Sequence, residues 1–184
     1  MAAIRLPRDA VVVLIGISGS GKSTFAARHF AAGAVLASDA FRALVADDAG
    51  DQSATDDAFT LLHAALGMRL RRGRLTVVDA TNVQGWARRP ILDLAARHHR
   101  PAVAIVLDLP LATCLARNAA RTDRRLPPDA IRRQRRHLLG DLERLEGEGF
   151  AAVHRLGGER EVDEARMSLL PMSAAARPRP RSAR

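Results

Sequence analysis

Lys22 is the one lysine of the chain, and it stands in the octapeptide Gly16-Ile17-Ser18-Gly19-Ser20-Gly21-Lys22-Ser23. The stretch meets the pattern G-x-x-x-x-G-K-[ST] at every fixed position. All other long basic side chains are arginine, so a generic positive charge is met elsewhere by a guanidinium. Position 22 calls for a compact ammonium on a flexible stem, reaching between the β- and γ-phosphates of a nucleotide, which a planar guanidinium does poorly. Loop amides from Ser18 to Ser23 would cradle the β-phosphate, aided by the dipole of a helix starting near Lys22. Gly16, Ser18, Gly19, Ser20, Gly21, Lys22, Ser23 and Thr24 are therefore the expected nucleoside triphosphate site, with the Ser23 hydroxyl placed to ligate Mg²⁺. The implied chemistry is transfer of a γ-phosphoryl group. The loop does not identify the acceptor.

Two carboxylates stand where such chemistry needs them. Asp39 follows a short apolar run, and a carboxylate there could take the proton of an attacking hydroxyl. It could equally cap the helix that holds Phe41 and Arg42. Arg42, three residues on, shares a helical face with Asp39; it reads either as a ligand for an acceptor phosphate or as a solvated arginine. Asp79 closes the run Leu75-Thr76-Val77-Val78 and suits a carboxylate that organises Mg²⁺ through water. Thr81 and Asn82 could hydrogen-bond the acceptor or cap the next helix. Trp86 reads as a packing residue or, less simply, as a surface for base stacking.

Between Arg117 and Arg136 stand eight arginines against two aspartates, Asp123 and Asp129. Arg117, Arg121 and Arg124 form one stripe if a helix persists that far. This segment is expected to be a lid whose guanidinium forks bind phosphoryl oxygens and the charge of the transition state; the alternative is a solvated face. Arg132, Arg133, Arg135 and Arg136 go around too much of a helix to share one ligand. The histidines show no metal-ligand spacing.

The elements that must position these groups are legible as an alternation. Val11–Ile15 is wholly apolar and suits a central strand buried on both faces. Further strands are expected at Ala34–Ala37, Leu75–Asp79, Val103–Leu107 and Ala151–Leu156. Helices are expected from Lys22 to Ala32, from near Phe41, from Ala54 to Arg72, from Gly85 to His99 with a kink or late start at Pro90, from Leu111 to Ala120 and from Asp129 to Glu146. Strands alternating with helices give an α/β fold with a parallel sheet, whose ligands bind beyond the carboxyl ends of the strands. The glycine loop, Asp39 and Asp79 should therefore converge on one edge.

At 184 residues, 47% of them apolar, the chain can bury one core and not two. A kinase-type domain is expected over residues 1–170, with its lid at about 117–136, followed by a disordered basic tail at 171–184. The net charge of +9 favours a polyanionic partner, though basic solvated faces would give the same sum. The single cysteine, Cys114, excludes an intrachain disulfide and a cysteine-cluster metal site. No apolar stretch has transmembrane length and the N-terminus has no signal-peptide layout, so a cytoplasmic protein without a membrane partner is expected.

These residues together resemble the polynucleotide 5′-kinase domain of bacterial polynucleotide kinase-phosphatase, an RNA end-healing and repair enzyme. The matching stretches are Gly16 to Ala26, Ser38-Asp39-Ala40-Phe41-Arg42, Asp47-Asp48 with Asp51-Gln52, Leu75 to Val83, and Arg117-Asn118 with Arg121-Thr122-Asp123-Arg124. The resemblance covers about residues 10 to 156. It implies a P-loop fold like that of adenylate kinase and transfer of the ATP γ-phosphate to a 5′-hydroxyl of RNA or DNA. Lys22 and Ser23 would then bind phosphates and metal, and Asp39 would be the general base. Arg42 would touch the phosphate next to the acceptor nucleoside, and Arg117 and Arg124, joined by Arg121, would clamp ATP. Homodimers occur among such relatives. The chain has no room for the phosphatase and ligase modules that usually follow, so these would be separate chains or an excised remainder. Two other readings remain: a small-metabolite kinase of the gluconate or antibiotic type, using the same Lys22, Ser23 and Asp39, and a non-catalytic, nucleotide-dependent module that binds nucleic acid.

Overall fold

The computed structural model describes residues 3–122 and 125–172. Its centre is a five-stranded parallel sheet made of β2 (Val11–Ile15), β3 (Val35–Ala37), β4 (Thr76–Asp79), β5 (Ala102–Leu107) and β6 (Ala152–Leu156), in the order β3-β4-β2-β5-β6. The three inner strands β4, β2 and β5 are buried along their whole length. Their Val, Ile and Leu content follows from that burial, since a parallel strand covered on both faces has no polar side to show.

The register decides where the site forms. Leu14 of β2 pairs with Asp79 of β4 and Ile105 of β5, and Ala37 of β3 pairs with the same Asp79. The carboxyl ends of β2, β3 and β4 therefore lie level, and the residues that follow each strand emerge side by side. Helices α1 (Lys22–His29), α2 (Ser38–Ala46), α3 (Thr55–Arg71), α4 (Gly85–Arg97), α5 (Leu111–Ala119) and α6 (Pro128–Asp141) connect them. Leu62, Leu66 and Leu70 are fully buried on α3 at the spacing its periodicity predicts.

Several boundaries differ from the sequence reading. α4 runs unbroken through Pro90, whose exposed ring lies in the second turn and forfeits one backbone bond at most. α1 stops at His29 and a 3-10 turn covers Ala32–Ala34. α6 ends at Asp141, after which Leu142–Glu148 tightens into 3-10 form. Three short elements escape sequence reading: β1 (Ile4–Pro7), α7 (Glu159–Glu164) and β7 (Met167–Leu170). β1 and β7 pair in parallel as a separate two-stranded sheet, joining the two ends of the described chain. At the opposite edge of the main sheet from the strand carboxyl ends, buried Asp9 is paired with Arg100 at 3.0 Å, and the Arg100 Nε donates to the Leu70 carbonyl. Residues 173–184, where the basic tail is expected, lie outside the described residues.

Candidate active site

The loop from β2 to α1 is shaped by three crowded or left-handed glycines. A Cβ on Gly16 would press on Ser20 Oγ and the Leu107 carbonyl; Gly19 (φ 83°) would overlap the Cys114 carbonyl oxygen of α5. Gly21 (φ 90°) turns the chain into α1, with Arg117 Nη1 just beyond. The loop is thus wedged between the sheet and α5. Lys22 is buried, and its Nζ donates to the Ile17 carbonyl at 3.0 Å, inside its own loop. Burial pushes the ammonium below the usual lysine range; Asp79, the Cys114 thiol and Asp39 pull it back, while Arg121 adds to the lowering. A phosphate placed against Lys22 would supply the counter-charge that burial has made scarce.

Two further loop groups take unexpected partners. The Ser18 N–H donates to Gln134 Oε1 of α6 at 2.8 Å, so a residue 116 positions away closes on the phosphate cradle. Ser20 is buried, and its Oγ has no partner among the described residues. Ser23 and Thr24 are exposed and line the cavity in front of the loop.

That cavity, about 790 Å³ in volume, joins the loop to the other expected site residues. Asp39, Arg42, Asp79, Thr81, Asn82, Arg117 and Arg121 all line it. The convergence predicted from three strand ends is therefore present. The individual placements refine their roles.

Asp39 is the second residue of α2, which starts three residues earlier than expected. The N-cap is Ala37 and no side chain caps the helix, so the capping reading of Asp39 fails. Its carboxylate, 43% exposed, faces the cavity and is ion-paired with Arg42. Arg42 is not a solvated arginine: it is buried, with its Nε donating to Thr55 Oγ1 of α3 at 3.4 Å. It clamps α2 to α3 and turns the carboxylate toward open space.

Asp79 is buried at the carboxyl end of β4 and borders the cavity. Together with the Ser23 hydroxyl it makes a hard-oxygen donor set suited to Mg²⁺ or Mn²⁺, with phosphate oxygens and water as the remaining ligands. Among the described residues no group of three or more His, Cys, Asp or Glu could hold a metal by itself.

Thr81 and Asn82 do not cap α4, whose N-cap is Gln84. The Thr81 carbonyl accepts the Gly16 N–H at 3.0 Å, tying this loop to the phosphate loop. Asn82 is buried with φ 48°, and its Nδ2 donates to the Leu14 carbonyl at 2.8 Å. Its amide nitrogen is thus engaged with β2, while its Oδ1 is buried without a partner among the described residues.

Sequence reading missed what holds this turn. Arg88 is fully buried; its Nε donates to Glu148 Oε2 at 2.7 Å, its Nη2 bonds Asp141 Oδ2 at 3.0 Å, and its Nη1 donates to the Asn82 carbonyl at 2.8 Å. Burial alone would lower its pKa, but hydrogen bonds and charge from Glu148, then Asp141, raise it above the usual arginine value. In so Arg-rich a chain, no local pattern marks this arginine as internal.

The arginine segment resolves into separate tasks. α5 ends at Ala119, so Arg121 lies beyond the helix that carries Arg117. Arg117 reaches across to Glu159 at 3.1 Å, on a helix the sequence did not reveal, and Arg121 lines the cavity from the segment after α5. Arg124 and Asp123 lie outside the described residues. Buried Asn118 ties this segment back: its Nδ2 donates to the Leu126 carbonyl at 2.9 Å and its Oδ1 accepts the Leu126 N–H at 3.0 Å. Arg135 turns away and, with Arg155, pairs with buried Asp108, while Arg132 bonds Asp129. Those arginines do not line the cavity. Trp86 also departs from the simpler expectation: it lines the cavity with 72% of its surface exposed.

The AAA domain family model matches residues 11–145, from β2 into the 3-10 segment after α6. No curated protein matches the chain. Among solved structures, a chain of the Pnkp1/Rnl/Hen1 RNA repair complex superposes with a TM-score of 0.62 at 20% identity, over 77% of this chain and 47% of that one. A chain of the AvrRxo1-ORF1:-ORF2 complex with ATP gives 0.59 at 20% identity, over 77% and 50%. A gluconokinase from Sinorhizobium meliloti 1021 gives 0.51 at 19% identity, over 85% and 90%. This chain thus spans about half the length of the first two and most of the third. Among the described residues no helix is long and apolar enough to cross a membrane. The parallel sheet, the glycine loop at the end of β2 and a family match over most of its length show that this chain belongs to the AAA domain family, with the P-loop α/β fold.

Proposed function

We propose that this protein is an ATP-dependent polynucleotide 5′-hydroxyl kinase that phosphorylates RNA or DNA ends, as in end healing. The observation that carries the reading is one continuous cavity lined by the Lys22 loop and by the Asp39–Arg42 pair, with Phe59 and Trp86 also on its wall. The reaction needs a cation against the β- and γ-phosphates, a carboxylate at the incoming hydroxyl, and room for an acceptor larger than the hydroxyl itself.

In the step itself the 5′-hydroxyl oxygen forms a bond to the γ-phosphorus, the bond to the bridging β–γ oxygen breaks, ADP leaves, and the hydroxyl proton passes to the Asp39 carboxylate. Lys22 and the loop amides hold the phosphates, and Arg117 and Arg121, with Arg124, stabilise the charge of the transferred group. Arg42 orients Asp39 and is available to the phosphate next to the acceptor nucleoside. Ser23, with Asp79 through water, would hold Mg²⁺ or Mn²⁺, which neutralises charge on the nucleotide phosphates.

The resemblance to an end-healing kinase domain and the shared fold with a chain of an RNA repair complex support this acceptor. In such a system, phosphatase and ligase activities would come from other chains or modules, and the setting would be cytoplasmic. A metabolite kinase is the competing reading, favoured by the shared fold and similar extent of the gluconokinase.

The test is transfer of labelled γ-phosphate from ATP to a 5′-hydroxyl oligonucleotide, run beside gluconate, other sugars and free nucleosides. Labelling of the oligonucleotide is expected. Transfer to a metabolite with none to oligonucleotides would overturn the proposal.

A further inference from the structure

Trp86 is the only tryptophan among six aromatic residues of Phe, Trp and Tyr type in the whole chain, and it is left 72% exposed on the cavity wall. A loosely held side chain would make this unremarkable, but the backbone beneath it is firmly fixed. Gly85, one residue before, donates its N–H to Asp141 Oδ2 at 2.8 Å. Arg88, two residues after, is fully buried in its cage of Glu148, Asp141 and the Asn82 carbonyl. The indole therefore stands on a turn pinned on both sides by polar bonds. An exposed aromatic on a rigid base has already lost backbone freedom, so a planar ligand that covers it gains contact at little further ordering cost.

The same cavity is lined by Phe59 and His63 of α3, whose rings lie 5.8 Å apart, and by Pro90 of α4, one helical turn after Trp86. This apolar stretch belongs to the same cavity as the Asp39–Arg42 pair. A cation, a carboxylate and a flat aromatic surface in one cavity match a nucleotide: a phosphodiester for the guanidinium, a hydroxyl for the carboxylate, a base for the ring.

We infer that Trp86 is the platform on which the base at the 5′ end of the acceptor stacks, fixing its hydroxyl toward Asp39. This rests on the polynucleotide kinase reading and names the part of the acceptor that the site holds. Stacking uses the π-face that every base possesses, so the platform favours nucleic acid ends without selecting among the four bases.

The single tryptophan makes the test direct. In the full-length protein with a non-hydrolysable ATP analogue, a 5′-hydroxyl oligonucleotide quenches intrinsic fluorescence, whereas the same oligonucleotide with an abasic 5′-terminal residue does not. Trp86→Ala lowers kcat/KM for the base-bearing acceptor by about 10- to 100-fold, chiefly through KM, with Trp86→Phe recovering most of it. The abasic acceptor and the KM for ATP stay unchanged. Equal losses on both acceptors, or no loss on either, overturn the platform while leaving the kinase reading intact. Absence of transfer to any oligonucleotide, with transfer to a sugar that depends on Trp86, overturns both.

Discussion

Replacing Arg88 with methionine keeps an unbranched apolar stem, shortens the side chain and removes its charge, leaving Asp141 and Glu148 facing each other across an apolar group. Breaking a buried ion pair by deleting one partner costs about 3–5 kcal/mol. The two carboxylates keep 24% and 20% of their side-chain surface exposed, so water rehydrates part of each. The Gly85 N–H also stays bonded to Asp141. The lower end of the range applies, about 3 kcal/mol. For a chain of this length each kcal/mol moves Tm by about 2–4 °C, so a fall of about 6–12 °C is expected in thermal melts followed by circular dichroism. Adding Asp141→Asn and Glu148→Gln to Arg88→Met should recover much of the loss, because the residual charges then disappear. A fall of less than about 2 °C for Arg88→Met would refute the view that this arginine pins the start of α4.

Asp39→Asn should leave ATP affinity unchanged and lower phosphoryl transfer by about 10²- to 10⁴-fold; normal turnover in a single-turnover assay removes Asp39 as the base. Gly19→Ala forces a Cβ into the Cys114 carbonyl at φ 83° and should sharply weaken ATP binding in a calorimetric titration, an affinity within about twofold of the parent counting against the loop geometry. Stability should also fall on acidification. His29, His63 and His154 have pKa values below the usual histidine range through burial, with Arg28 adding to the effect at His29. The unfolded chain therefore binds more protons than the folded one just below pH 6.5, so stability present above that pH is lost as pH drops through the folded values. Melts at pH 7.5 and 5.5 check this, and His63→Gln should flatten the slope; an unchanged slope shows that His63 contributes nothing to it.

The sequence by itself determined the elements and the chemistry carried by local pattern. An all-apolar run followed by Gly16 to Ser23 specifies a strand, a phosphate loop and a helix, because loop conformation and helix start depend on neighbours in the chain. The runs closing on Asp39 and Asp79 were legible for the same reason, and parallel topology then required the strand ends to meet. The three elements it missed are short, and each has distant partners: β1 and β7 pair with each other, and α7 is bonded to Arg28 and Arg117 through Asp163 and Glu159.

Tertiary structure alone decided which arginines matter and how. Arg42, Arg88, Arg117 and Arg135 look alike in sequence, yet their partners are Asp39 and Thr55, Glu148 and Asp141, Glu159, and Asp108. Most of those partners lie tens of residues away, and a flexible charged side chain carries no periodic mark of its direction. Trp86 shows the same limit in reverse. Local pattern favoured burial for a lone tryptophan, and only the packing of α4 on its buried arginine left the ring facing the cavity.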